Sequence, residues 1–471
     1  SADAGIYFIN PYKKFGSCPI KMGEYLASGL PLVINSGIGD SDYFVRDNDI
    51  GVVLDGFDDE DYSEAVEKLL ALSGDNETGS KCARSVAEHL SLELGVRRYR
   101  DIYKSIEAPP LRVKTKVLFI VPYTSEGASN RIRIEQYLPY LADAGIRYKV
   151  RPFFFKSFYK ILYTRGHFFK KALFMVISTM GRIADIFRCF HYDIIFVHRE
   201  AYPIGPSVFE HIFSSMKPVI YDFDDAIYLP NTSKQNFYIE RFKKPGKVSE
   251  IIGMSKVVIA GNEHLKNYAL KYNKNVAVIP SSIDTDKYRP LSFRGPKKGI
   301  VIGWIGSNTT KDFLYDLEDV FERLSKRYDN IVFKIAGAQF KSEKLGNVIN
   351  REWYLEKELD MLRTFDIGIM PMPDNEWTRG KCGFKAILYM SLAIPTVCSP
   401  VGVNKKIIED GVSGFLASSA DEWEDKLALL IEDESLRKKI GLAGRRTVEA
   451  SYSIKVNAPQ FIDAIMKGEK K

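Results

Sequence analysis

The sequence predicts an α/β protein of parallel sheets wound on both faces by helices, with two such domains preceded by part of a third. Three observations predict it. Unbroken β-branched and apolar runs, such as Lys116-Val117-Leu118-Phe119-Ile120-Val121, alternate with helical stretches, as expected of strands buried on both faces of a parallel sheet. Several of these runs end in small-residue loops that open a helix. One segment is also written twice: Cys18-Pro19-Ile20-Lys21-Met22-Gly23-Glu24-Tyr25-Leu26-Ala27-Ser28-Gly29-Leu30-Pro31 recurs as Cys382-Gly383-Phe384-Lys385-Ala386-Ile387-Leu388-Tyr389-Met390-Ser391-Leu392-Ala393-Ile394-Pro395, with Cys, Lys, Tyr and Pro in register.

The match extends from Asp3-Ala4-Gly5-Ile6 against Asp366-Ile367-Gly368-Ile369 to Gly51 against Gly414. A duplication of roughly a hundred residues, present twice, reads as a repeated domain half and not as a solenoid. The chain has 471 residues, enough for two to four domains, and its 45% hydrophobic and 27% charged composition is that of a globular protein. Its 5 cysteines (Cys18, Cys82, Cys189, Cys382, Cys398) are scattered without a CxxC pair, which argues against disulfides and zinc and for a reducing cytoplasm. Ser1-Ala2-Asp3 leads straight into an apolar strand with no signal-peptide pattern. The net charge of +7 is uneven: residues 1–110 are acidic, so the basic surface lies after them.

Within 1–110 the expected order is a strand (Gly5 to Ile9), a helix over 20–28, strands Pro31 to Asn35 and Gly51 to Leu54, and helices over 60–73 and 77–105, closed by the linker Ala108-Pro109-Pro110. The second domain, 111–290, starts at Lys116 and continues with strands at Ile194 to Val197, Pro218 to Tyr221, Val257 to Ala260 and Val276 to Ile279. After the turn-rich Pro290 to Lys298, the third domain, 291–471, has strands at Ile300 to Gly306, Ile331 to Gly337, Ile367 to Met370, Pro395 to Cys398 and Gly414 to Leu416. A last helix over 454–467 is long enough to cross back. Two facing parallel-sheet domains place a cleft at the carboxyl ends of both sheets, where open α/β sheets bind ligands.

Five loops there carry candidate chemistry. Ser125 to Arg133, containing Gly127 and Arg131, is either a phosphate-facing helix start or a plain strand-to-helix turn. Gly303 to Lys311 offers the amides of Gly306 and Ser307 with Lys311 in support, without a Walker spacing or dinucleotide fingerprint, or is a tight turn with a solvated lysine. Pro371 to Lys385 is the strongest: Arg379 and Lys381, separated by one glycine ahead of a helix that carries Lys385, suit a pyrophosphate. Ser399 to Asn404 turns Gly402, Val403 and Asn404 towards the same cleft. At two strand ends of the second domain, Asp222 and Asp224, with His198 and Glu200, either bind or polarise acceptor hydroxyls or pair with Arg131 and Arg133. Clustered aspartates alone do not supply the converging ligands of a cation, so no metal site is expected.

Taken together, residues 115–471 resemble a retaining nucleotide-sugar glycosyltransferase of family 4, a GT-B protein with two facing Rossmann-like domains. The residues that carry the resemblance are Tyr221-Asp222-Phe223-Asp224-Asp225-Ala226, Ile279-Pro280-Ser281-Ser282-Ile283-Asp284-Thr285, Arg379-Gly380-Lys381-Cys382-Gly383-Phe384-Lys385 and Ser399-Pro400-Val401-Gly402-Val403-Asn404. Residues 1–110 resemble the terminal part of the same fold's second domain. The resemblance implies a nucleoside diphosphate sugar held by the third domain, with its phosphates at Arg379 and Lys381 and Gly127 nearby from the opposite domain. It implies transfer to a lipid-linked or saccharide acceptor in glycan synthesis, without a protein nucleophile and without a cofactor. It also implies that 1–110 is the catalytically silent tail of a first enzyme, whose remainder preceded Ser1.

The sequence departs from that family where two glutamates are usual. Gly380 and Leu388 occupy those positions; in the first copy they are Gly16 and Glu24, and Trp304 replaces an arginine after Gly303. A non-catalytic sugar-nucleotide-binding or scaffolding protein is the rival reading. Residues 147–190 concentrate lysine, arginine and twelve Phe or Tyr around one acid, Asp185. They form either amphipathic helices on an anionic membrane, making a cytoplasmic enzyme peripheral to it, or a core with solvated cations. No stretch resembles a nucleic-acid module.

Overall fold

The computed structural model describes residues 2–8, 20–37, 39–107, 115–162, 164, 166–229, 244, 246–291 and 299–469. Cys18, Pro19, Gly16, Ile9, the Ala108-Pro109-Pro110 linker and most of the Pro290 to Lys298 stretch lie outside the described residues. The chain forms two compact units, one within Ser1–Pro110 and one spanning Leu111–Pro290 and Pro296–Lys471.

The larger unit is built on two six-stranded parallel sheets. The first comprises β4 (Thr115–Tyr123), β5 (Ile146–Phe154), β6 (Ile194–His198), β7 (Val219–Phe223), β8 (Val257–Ala260) and β9 (Val276–Val278), in the order β5-β4-β6-β7-β8-β9. The second comprises β10 (Ile300–Ile305), β11 (Ile331–Ala336), β12 (Val348–Arg351), β13 (Ile367–Met370), β14 (Thr396–Cys398) and β15 (Phe415–Leu416), in the order β12-β11-β10-β13-β14-β15. Central strands are buried throughout, which is why they read as apolar runs; β6 and β13 have no exposed position. The strand order reverses between β4 and β6 and again between β10 and β13, so each sheet has a crevice at that point.

Two strands escaped the sequence reading because they are edges. β5 pairs only with β4, leaves Arg147, Tyr148 and Lys149 exposed, and so lacks an apolar run. β12 pairs only with β11 and has no fully buried residue. Part of the basic aromatic stretch is therefore strand, followed by helices Lys156–Leu162 and Phe168–Arg188. The final helix, Ile454–Glu469, lies on the first sheet, with Phe461 stacked on Tyr137 at 4.3 Å and packed against Phe196 at 5.4 Å.

The smaller unit holds a parallel sheet of β1 (Gly5–Tyr7), β2 (Leu32–Asn35) and β3 (Gly51–Leu54). Its helix Ser41–Asn48, which the sequence reading left as loop, buries only Ser41, Asp42 and Val45. Element for element, this unit repeats residues 367–469. Helices Ile20–Ala27, Asp59–Gly74, Thr78–His89 and Leu92–Glu107 answer to Phe384–Ser391, Ala420–Glu432, Glu434–Ser451 and Ile454–Glu469. The correspondence reaches single contacts. A Cβ on Gly5 would sit 2.7 Å from the Tyr25 ring, and one on Gly368 would sit 2.5 Å from the Tyr389 ring, so each strand admits only glycine beneath its tyrosine. Both copies open the helix that follows their last strand with a capping box, at Asp58 and at Ser419. After the repeated helix, the left-handed position is Gly29 (φ 76°) in one copy and Ala393 (φ 52°) in the other.

Candidate active site

The site is assembled from loops at the carboxyl ends of the two large sheets. On the β13 side, Asn375 caps a single helical turn, Glu376–Arg379, by accepting from the Thr378 amide at 3.0 Å while the Thr378 hydroxyl accepts from the Asn375 amide at 3.1 Å. That turn presents Arg379, and Lys381 follows after Gly380. A Cβ on Gly380 would lie 2.6 Å from the Ala226 Cβ, so the position holds no side chain in this arrangement. Leu388 is buried in the core of the second large sheet. Neither place where a glutamate is usual can therefore serve a ligand here.

Three cations line this side, each on an exchangeable partner. Arg379 donates to Asp374 at 2.6 Å. Lys381 reaches Asp225 of the β7 loop at 3.2 Å and stands over the Trp377 ring at 3.6 Å. The ammonium of Lys385 is enclosed between the Thr310 hydroxyl at 3.2 Å and the Trp304 ring at 4.7 Å, although the side chain as a whole is half-buried. Burial, and then the neighbouring Lys381, bring its pKa down from 10.5 to about 7. The Gly306 loop is fixed to this helix, because the Ile305 amide donates to the Tyr389 hydroxyl at 2.9 Å. Ser307 and Thr309 share a hydroxyl contact at 2.7 Å, and Lys311 donates to the Gln339 carbonyl at 3.4 Å, away from the other three cations' partners. Gly402, at φ 55°, packs its backbone against Arg379, where a Cβ would be 2.9 Å from the Arg379 carbonyl. Val403 precedes the turn Asn404–Ile407; Asn404 is fully buried and donates to Ser399 O at 3.0 Å, closing its own loop.

The opposite wall carries a charge network across the β4/β6 crevice. Arg133 grips Asp222 through Nε at 3.2 Å and through NH2, and Asp222 also contacts His198 Nδ1 at 2.7 Å. His198 Nε2 lies 2.7 Å from the Ser129 hydroxyl, which donates to Asp224 at 2.6 Å, and Arg199 donates to Asp224 at 2.7 Å. Burial alone would raise both carboxyls, but Arg133 and His198 hold Asp222 below its ordinary value, and Arg199 and His198 do the same for Asp224. The two aspartates thus take up the pairing role left open by the sequence, with Arg133 and Arg199 as partners. Arg131 instead crosses to the other domain, 3.6 Å from Glu358 and 5.4 Å from the Trp353 ring. Glu200 is half-buried, and with burial its carboxylate pushes the Tyr221 phenol up. Gly127 precedes the helix Ala128–Arg133, its backbone so close to Tyr123 that a Cβ would be 2.6 Å from the tyrosine's own. Arg199 sits at φ 58°, a strained backbone held by its amide's bond to Asp222 O at 2.7 Å.

Sequence reasoning named Asp225 within the Tyr221-to-Asp225 stretch without its partner Lys381, and passed over Asn262, whose side-chain amide donates to Gly380 O at 2.9 Å and Lys381 O at 3.1 Å. Cys382 is wedged there too, its thiol donating to Asp224 O at 3.1 Å and pushed up to about 12 by burial, so it is packing and not a nucleophile. The tryptophans covering Lys381, Lys385 and Arg131 had no signal in the sequence beyond Trp304 standing after Gly303. Among the described residues, no group of three or more His, Cys, Asp or Glu side chains is placed to hold a metal ion.

Residues 299–433 match the family model described as glycosyl transferases group 1. No curated protein sequence matches the chain significantly. Among solved structures, the chain is similar to a glycosyltransferase from Rickettsia africae, at 15% identity and a TM-score of 0.56, covering 76% of this chain and 99% of that one. It is similar to HepE from Anabaena, solved with UDP-glucose, at 14% identity and a TM-score of 0.54, covering 75% of this chain and 100% of HepE. Sucrose-phosphate synthase from Thermosynechococcus elongatus matches at 13% identity and a TM-score of 0.54, covering 75% of this chain and 99% of that one. At these identities the likeness establishes the fold, which is GT-B. The sheet that carries Arg379, Lys381 and Lys385 thus lies in the stretch that matches the group 1 glycosyl transferase model, within a GT-B architecture.

Proposed function

We propose that the chain transfers a sugar from a nucleoside diphosphate sugar to a hydroxyl of a lipid-linked or saccharide acceptor, with retention of configuration, as a step of glycan synthesis on the cytoplasmic face of a membrane. One observation carries the reading most of the way: Arg379, Lys381 and Lys385 stand together at the carboxyl edge of the family-matching sheet, each on a partner that an anion would replace. HepE, of the same fold, has been solved with UDP-glucose, which supports a nucleotide sugar as donor.

In this reading the donor diphosphate displaces Asp374, Asp225 and Thr310 from the three cations. The acceptor oxygen forms a bond to the anomeric carbon as the bond from that carbon to the phosphate oxygen breaks. The acceptor proton passes to the departing phosphate, whose charge the cations stabilise. A protein nucleophile is not invoked, because Asp222 and Asp224 are already bound by guanidinium groups and His198 or Ser129. Positive charge at the diphosphate comes from side chains, so the scheme requires donor and acceptor and no cofactor. Arg131 and Glu200 remain on the wall assigned to the acceptor, whereas His198, expected there too, is fully buried with both ring nitrogens engaged by Asp222 and Ser129. Residues 1–110 are read as the terminal part of a second such donor domain, since they reproduce the elements from β13 onward.

Lys381→Ala tests the assignment. Sugar transfer should fall at least a hundredfold, since removing one donor aimed at developing charge costs about 10²–10³ in rate. Transfer at the wild-type rate would contradict it. The rival reading, a non-catalytic sugar-nucleotide binder, draws on Gly380 and Leu388. It predicts nucleotide-sugar binding with no turnover in the wild type.

A further inference from the structure

A helix packed on a globular domain normally turns its apolar stripe inward and its charges to water. In its central turns, Phe168–Arg188 does the opposite. Ser178, Arg182 and Asp185 are buried: Ser178 donates to Phe153 O at 2.7 Å, and Arg182 donates to Ala201 O at 2.8 Å and to Asp185 at 3.1 Å. Outward stand Phe169, Leu173, Val176, Met180, Ile183 and Phe187, spaced alternately by four and three residues along one face, with Phe169 88% exposed. Between Lys171 and Arg188 the charged residues of this helix, Arg182 and Asp185, both face inward. A 21-residue helix is about 30 Å long, so the stripe is a continuous apolar ridge and not a scatter of single exposed residues.

The rim of the ridge is basic. Lys170 stands exposed at one end and Arg188 at the other, and the neighbouring edge strand β5 exposes Arg147 and Lys149. No helix among the described residues is long and apolar enough to cross a membrane, and this one carries Arg182 and Asp185 on its buried face. A continuous apolar ridge edged by cations matches an anionic bilayer surface, acyl chains beneath headgroups. It matches a protein partner less well, since a protein face complementary to it would need acidic groups around an apolar groove.

The ridge is also joined to the reaction cleft. Phe174, on the same helix, packs on Phe155 at 4.9 Å and Phe158 at 5.6 Å; Phe158 meets Phe154 at 5.0 Å, and Phe154 stacks on Tyr123 at 5.7 Å, beside Gly127. Lys156, just before, pairs with Glu126 of the same loop at 3.1 Å.

We propose that the outer face of the helix Phe168–Arg188 docks in the plane of an anionic membrane, inserting the Phe169-to-Phe187 ridge among the acyl chains while the flanking cations meet the headgroups. The role of this docking, delivery of a lipid-borne acceptor towards the Gly127 loop, rests on the glycosyltransferase reading; the docking itself does not.

The test is flotation of the full chain with phosphatidylcholine vesicles, with and without phosphatidylglycerol. The wild type should float with the anionic vesicles and less with the neutral ones. Leu173→Gln with Met180→Gln should weaken binding at least tenfold, because each variant replaces an apolar side chain that docking would bury with a polar one. Both positions are exposed, so the circular-dichroism melt should not move. Lys381→Ala should float like the wild type while losing transfer, which separates failure of the docking from failure of the enzyme reading. A wild type that stays unbound, or a double variant that floats equally well, overturns the proposal. So does a wild type that self-associates through this face in light scattering, without vesicle binding, and becomes monomeric in the double variant.

Discussion

Lys385 is the residue whose chemistry is most altered by its place. Burial and Lys381 lower its pKa to about 7, against 10.5 in an unfolded chain, so between those values the unfolded state holds the extra proton. Stability therefore rises with pH across that window, and the burden of the charged amine is greatest below pH 7. Lys385→Met should raise the melting temperature most at about pH 6 and progressively less towards about pH 10, while weakening diphosphate binding. Melting curves at the two pH values check this; a gain independent of pH would count against an enclosed ammonium. The cations of this wall were legible in the sequence, because Arg379, Lys381 and Lys385 cluster between a strand and a helix. The work of the aspartates was not. Asp222, Asp224 and Asp225 are consecutive acids in an Asp-Phe-Asp-Asp stretch, yet one is sealed under Arg133, one under Arg199, and one pairs with Lys381 of the other domain. Partners so far apart in the chain leave no mark in local spacing.

Among the elements, the two copies of the terminal helix make a natural experiment. Leu92, Val96, Tyr99 and Tyr103 of Leu92–Glu107 align with Ile454, Ala458, Phe461 and Ile465 of Ile454–Glu469. In the second copy all four are buried against the β4 sheet, and in the first they are exposed, Tyr99 at 65%. Phe461→Ala should destabilise the protein by about 3–5 kcal/mol through the cavity it leaves, and Tyr99→Ala by no more than about 0.5 kcal/mol. Denaturant unfolding of both variants measures the contrast, and equal losses would refute it. The same distinction sets what the sequence reveals about elements. Central strands such as β4 and β6 announce themselves because both faces are buried. The edge strands β5 and β12, and the helix Ser41–Asn48, carry polar and charged residues that a test for apolar runs passes over. The inverted helix Phe168–Arg188 was visible as basic and aromatic, but which aromatics pack inward, Phe153, Phe154 and Phe158, and which face out depended on tertiary contacts.

At the scale of the molecule, the GT-B pair of sheets brings the reversal points β4/β6 and β10/β13 to one cleft, with cations on one wall and neutralised carboxylates on the other. The repeat that joins Gly5-to-His89 elements to their counterparts after Ile367 was legible because strand-buried and turn residues recur in order. The contacts across the cleft, Asp225 to Lys381 and Arg131 to Glu358, belong to the assembled fold alone. The central claim is that this cleft holds the diphosphate of a nucleotide sugar on Arg379, Lys381 and Lys385. Its most direct test is thermal melting of the full chain against a panel of nucleoside diphosphate sugars, since a ligand that binds the folded state at a hundred times its Kd adds about 2.7 kcal/mol of stability. The account predicts that at least one donor raises the melting temperature of the wild type and leaves Lys381→Ala unmoved. A panel without effect, or an equal rise in Lys381→Ala, would contradict it.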